Sequence, residues 1–282
     1  MCFMKICFEE LRCSREESTI MTSRHLSVMP APKHTDPKPL SGPILFEEGD
    51  FHGVSDGLAR DPQYNDRRLI ARRKLLALGK GALPKLSEAG AQLECRTSLH
   101  NPSQYNGNKV SRLWAYLMRV KADKKELKSI LGRDLAKDLD SAYKNAYLCV
   151  AIEAEALEVS MRIHPDAWYD GQNLKKRVAA EGKAELLSLL NELQGFQLKM
   201  HDWQGDWRCG DITPERLEEF LGYWTPGEHS FAVEQRFPCP KGARGPALEE
   251  GAAEHLEAEL LRLVPLYRYT AWSEESNFLF PS

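Results

Sequence analysis

Two histidines and two carboxylates are the residues here whose types and spacing best suit catalysis: His164 with Asp166, and His201 with Asp202. An imidazole beside a carboxylate can transfer protons near neutral pH, and the same residue types can hold a divalent metal. Each pair follows a segment with strand periodicity. In ALEVSMRIH, Leu157, Val159, Met161 and Ile163 alternate with Glu158, Ser160, Arg162 and His164. In GFQLKMH, Phe196, Leu198 and Met200 take the apolar positions. If these two strands pair, His164, Asp166, His201 and Asp202 gather at one sheet edge, near Asp170, as the catalytic set of an enzyme of hydrolytic type. Against this, the histidines lack a metal-ligand spacing, and His164 before Pro165 is also ordinary turn chemistry. The sequence contains no GxxxxGK[ST], GxGxxG, HExxH or EF-hand loop, so neither a cofactor nor a metal is expected.

Charge offers a second kind of chemistry. The net value is only -3, yet Arg60 to Tyr147 holds 19 Lys and Arg against 9 Asp and Glu, while Leu148 to Ser282 holds 13 against 23. Arg67, Arg68, Arg72, Arg73 and Lys74 crowd one expected helix, and Lys109, Arg112, Lys124 and Lys125 follow, with Tyr105, Trp114, Tyr116, Tyr143 and Tyr147 interleaved. Cations neutralise phosphates and aromatic rings stack on bases, so Arg68, Arg72, Arg73, Lys109, Arg112, Lys124 and Lys125 form a candidate surface for nucleic acid or another anionic partner. Asp66, Asp123, Glu126, Asp134, Asp138 and Asp140 dilute the patch, several at the three- or four-residue spacing of ion-paired helix faces. Opposite patches equally favour head-to-tail self-association or contact between the two halves of the chain. A third group is aromatic. Four of the six tryptophans follow residue 200, and the turn-like Trp203 to Trp207 carries two that are hard to bury locally.

The elements that must position these residues can be read along the chain. A helix starts near Tyr64 and is weakened by Gly79, Gly81 and Pro84. AQLECRTSLH alternates as a half-buried strand, and KVSRLWAYLMRV leans to strand. Asp123 to Asn145 is helical with a break near Gly132. AYLCVAIE and ALEVSMRIH form a hairpin turning at 153–156. Gln172 to Leu193 reads as one amphipathic helix, Thr213 caps a short helix opened by Pro214, HSFAVEQRF is a last strand, and Leu248 to Val264 is helical.

The fold expected is α+β: one mostly antiparallel sheet of about five to six strands backed by helices, in a single domain over 60–282. Residues 1–59, with five prolines between Met29 and Pro43, read as a disordered leader, and Met21 offers an alternative start that would leave 1–20 untranslated. The composition, 42% hydrophobic and 28% charged, is globular. The seven cysteines are scattered without a CxxC pair, which indicates reduced thiols. With no signal peptide and no membrane-spanning run, a cytoplasmic protein is expected. The leading functional expectation is a binding protein whose basic segment engages an anion. The alternatives are the His/Asp enzyme and a structural subunit joined through opposite charges.

Overall fold

The computed structural model describes residues 40, 42–200, 203, 205, 207–239 and 249–280. The chain enters through a short helix α1 (Glu48–His52) and a long helix α2 (Asn65–Glu88), which leads into β1 (Leu93–Thr97) and β2 (Leu113–Arg119). Helix α3 (Lys121–Leu135) precedes the hairpin of β3 (Ala146–Ile152) and β4 (Ala156–Ile163). Helices α4 (Trp168–Glu181) and α5 (Ala184–Asn191) follow, then β5 (Gln197–Met200) and β6 (Trp207–Arg208). Helix α6 (Pro214–Tyr223), β7 (Phe231–Pro238), α7 (Ala252–Arg262) and α8 (Val264–Thr270) complete the order.

The strands make one sheet of seven in the order β1-β2-β3-β4-β7-β5-β6, antiparallel throughout. The α+β fold is therefore the one expected, with the two-residue β6 additional. Side chains of one parity (Leu113, Leu148, Val159 and Val233 among them) enter a core built with α2, α4, α5, α6, α7 and α8. Those of the other parity meet a small cluster of Met118, Tyr147, Cys149 and Ala151, with Trp114 and Tyr116 against it. Apart from Ala142, that cluster draws only on β2 and β3. Helix α3 packs instead through Leu127 and Leu131 with Tyr169, Trp272 and Leu279.

Several boundaries differ from the sequence reading, for local reasons. The domain begins before residue 60: Phe46, Phe51 and Val54 are core residues, and Asp50 is buried against Lys74 at 2.7 Å. The rest of the expected leader, 1–39, lies outside the described residues. Helix α2 is continuous through Gly79 and Pro84. A Cβ on Gly79 would lie 2.6 Å from Cys95 Sγ, so the glycine lets the helix settle onto β1. Pro84 occupies the solvent side, where water can take the carbonyl that the missing N–H leaves free. The expected helix over 172–193 is two helices, divided at Gly182, whose φ of 88° ends α4. Gly132, at φ 79°, is the expected break in α3. Among the described residues, no helix is long and apolar enough to cross a membrane.

Candidate functional site on the sheet face

The expected basic surface is mostly not a surface. Arg68 is fully buried and donates to the carbonyls of Gly53, Leu58, Asp61 and His100 and to Asn65 Oδ1, at 2.6 to 3.1 Å. Those five bonds spend its donors on fixing the segment that leads into α2. Arg72 is buried too, bonding Thr97 Oγ1 and His100 Nδ1, and Arg73 is half-buried. Lys124 is buried between Glu94 at 2.7 Å and Asp140 at 3.6 Å, and Lys109 pairs with Asp56 at 2.9 Å. Of the seven expected anion ligands, only Lys125 is classed as exposed, and Arg112 belongs to a different arrangement on the sheet.

The His/Asp set is also altered. Strand β5 pairs with β7, and β7 pairs with β4, so the direct β4–β5 pairing on which the set rested does not form. His164 Nδ1 accepts from Asp166 N at 3.1 Å and caps the turn after β4, while the Tyr143 ring lies 5.6 Å away. His164 is half-buried and Asp166 is exposed, and Lys144 stands 3.7 Å from Asp166. His201 and Asp202 lie outside the described residues. Of the two loop tryptophans, Trp207 is buried edge-on to Phe220, whereas Trp203 is exposed and stacked on Tyr223.

What the fold does assemble is a row of charge and aromatic rings across the polar-parity face. Period-two alternation and the strand register put Trp114 and Tyr116 of β2, Glu158, Ser160 and Arg162 of β4, and Glu234 and Arg236 of β7 on this one face. Glu158, fully buried, is its hinge point. Its Oε1 accepts from Ser160 Oγ at 2.7 Å and from Arg162 at 2.8 Å, and it is ion-paired with Arg112. Ser160 Oγ in turn accepts from Arg162 Nε at 3.0 Å. Arg162 also bridges to Glu234, which holds Lys199 at 2.6 Å; Glu153 holds Arg112 at 2.6 Å and Arg236.

Burial works to raise the Glu158 carboxyl, but the Arg162 and Arg112 charges and the Ser160 and Arg162 hydrogen bonds outweigh it and bring the pKa down to about 2. Burial likewise opposes the charge on Arg162, and Glu158 overcomes it and raises that pKa. Cys149, beneath the network, is pushed well up by burial and is no nucleophile. The Arg112 guanidinium lies 3.5 Å over the Trp114 ring, Arg162 stands 5.5 Å from the same ring, and Tyr116 stacks on Trp114 at 5.7 Å. Arg112 Nε is buried with no hydrogen-bond partner among the described residues. Four cations thus face three carboxylates, beside a half-exposed aromatic pair.

No sequence signal singled this site out. The sequence groups Arg112 and Trp114 with the basic segment and sets Glu158, Ser160 and Arg162 on one face of β4, but only strand order joins the two sets.

Fold and site together define an antiparallel α+β protein with an ion-paired aromatic sheet face. No protein-family model matches the chain, and no curated protein sequence matches it significantly.

Proposed function

We propose that this is a binding protein without catalysis, which engages single-stranded nucleic acid across the sheet face rather than along α2. The observation that carries this reading is Glu158. A carboxylate wholly removed from water costs several kcal/mol to desolvate, a cost that the guanidiniums around it must offset. What it does achieve is to hold Arg112 and Arg162 fixed against Trp114. Guanidiniums positioned beside stacking rings are the components with which sheet faces bind unpaired bases and their phosphates.

The neighbouring carboxylates nearly balance the cations, so stacking should outweigh phosphate neutralisation. Two phosphate contacts, through Arg112 and Arg162, would give a slope of log K against log salt of about -1.4. Titration of labelled single-stranded and duplex oligonucleotides tests this. Single strands should bind with that shallow slope, Trp114→Ala should cost about 1–3 kcal/mol, and Lys125→Glu on α3 should change little. Absence of single-strand binding at low salt, or equal binding of duplex, refutes the proposal.

A further inference from the structure

A second site, independent of the sheet face, lies at the far end of β2. A cavity of about 740 Å³ opens between the α2–β1 turn, the start of α3, and α8 with the segment after it. That volume falls within the range of small-molecule pockets. Two buried groups in its lining have unused hydrogen-bonding capacity. Arg119, only 2% exposed, spends Nη2 on Asp170 at 2.5 Å and lies close to the Tyr267 side chain, but its Nη1 makes no well-formed hydrogen bond among the described residues. Tyr269, 4% exposed, has a hydroxyl in the same condition. Buried donors are rarely left unmatched, and two in the wall of one cavity point to an acceptor that occupies it.

The mouth has the opposite character. Glu126 and Glu274 line it, both solvent-exposed, and the nearness of Glu274 raises the Glu126 carboxyl. Asp123, half-buried, lines the same cavity, and its carboxyl is raised by burial although Arg119 lies close enough to lower it. None of these three carboxylates has an ion-pair partner among the described residues. Donors at the bottom and unneutralised acids at the rim describe a ligand with an anionic or acceptor head and a cationic tail.

From this arrangement we propose that the cavity binds a free amino acid with a basic side chain. Its carboxylate is received by Arg119 Nη1 and Tyr269 Oη, and its side-chain cation by Glu126, Glu274 and Asp123. The chemistry is recognition only, with no bond made or broken. The acid cluster at the rim would not suffice for this assignment; the two unmatched buried donors complete it.

Calorimetric titration of the full chain with three probes separates the two ends of the site. L-Arginine carries both groups, agmatine lacks the carboxylate, and citrulline lacks the side-chain charge. Arginine should bind saturably, and each analogue at least about tenfold more weakly, the equivalent of about 1.4 kcal/mol. Tyr269→Phe keeps the ring that lies 3.9 Å from Arg177 and removes only the hydroxyl; it should weaken arginine and leave agmatine unaltered. Glu274→Gln, at an exposed position where folding is not at stake, should weaken arginine and agmatine alike and leave citrulline unaltered. Failure of arginine to bind at millimolar concentration, or equal binding of all three probes, overturns the assignment. Neither result bears on the sheet face, whose test uses different ligands and residues.

Discussion

Asp170→Asn removes one charge from the most deeply buried ion pair among the described residues, and its cost can be worked from the contacts. Asp170 is fully buried and uses both oxygens: Oδ1 accepts from Arg119 Nη2 at 2.5 Å and from Trp272 N at 2.8 Å, and Oδ2 accepts from Ala146 N at 2.6 Å. The carboxylate therefore joins β2, β3, α4 and the C-terminal segment at one point. Asparagine keeps the shape but turns one acceptor into a donor, which must face either Ala146 N or the Arg119–Trp272 side. It also leaves the Arg119 charge buried without compensation. Breaking such a pair from one side costs about 3–5 kcal/mol. For a domain of this size each kcal/mol lowers Tm by about 2–4 °C, so the melt should move by roughly 6–20 °C.

Removal of the other partner should cost less, because after Arg119→Met the carboxylate still has two charge-assisted backbone bonds. In the Arg119→Met background, Asp170→Asn should then cost far less than alone, a coupling that a double-mutant cycle reads directly. Urea denaturation of the four proteins, with unchanged m-values, is the assay. A loss below about 1 kcal/mol for Asp170→Asn, or additivity of the two changes, would refute the view that this pair anchors the fold.

Two further outcomes are expected. The Glu158 carboxyl, at about 2 against an ordinary 4.5, is depressed on folding, so its contribution of about 3 kcal/mol is complete above pH 4.5 and disappears as the pH falls toward 2. The stability difference between the wild type and Glu158→Gln should therefore shrink across that window, and a difference constant with pH would contradict the assignment. Gly79→Ala should destabilise by about 1–3 kcal/mol despite alanine's better helix propensity, because the new Cβ meets Cys95 Sγ. In a Cys95→Ala background the same change should become neutral or stabilising in thermal melts, and no rescue there would point away from the Cys95 contact.

Periodicity in the sequence reveals which side of a sheet a residue occupies, but not what lies on that side. Along β4 the alternation separated Leu157, Val159, Met161 and Ile163 from Glu158, Ser160 and Arg162, and the structure keeps that separation. Yet Glu158 and Ser160 are as inaccessible as the apolar set, sheltered by the long side chains around them. The His/Asp proposal depended on strand order, a non-local property: β7, more than 30 residues after β5 begins, inserts between β5 and β4. Gly79 and Pro84 show the converse error, since local propensity marked a weakness in α2 where tertiary packing and solvent exposure make each residue acceptable.

The charge asymmetry carries the most general consequence. Counted along the chain, it points either to an external anion or to contact between the basic and acidic parts, and the fold makes the second. In the fold, cations of the basic segment meet acids of the acidic half: Lys85 with Glu257, Arg112 with Glu153 and Glu158, Arg119 with Asp170, Lys144 with Asp166. Others never meet the acidic half: Arg68 is consumed by carbonyls between Gly53 and His100, and Lys124 by Glu94. A surplus of one sign in sequence is thus first a statement about which parts of the chain attract each other. Only groups whose hydrogen-bonding capacity survives that pairing, such as Arg112 Nε on the sheet face and Arg119 Nη1 in the cavity, remain to address a partner.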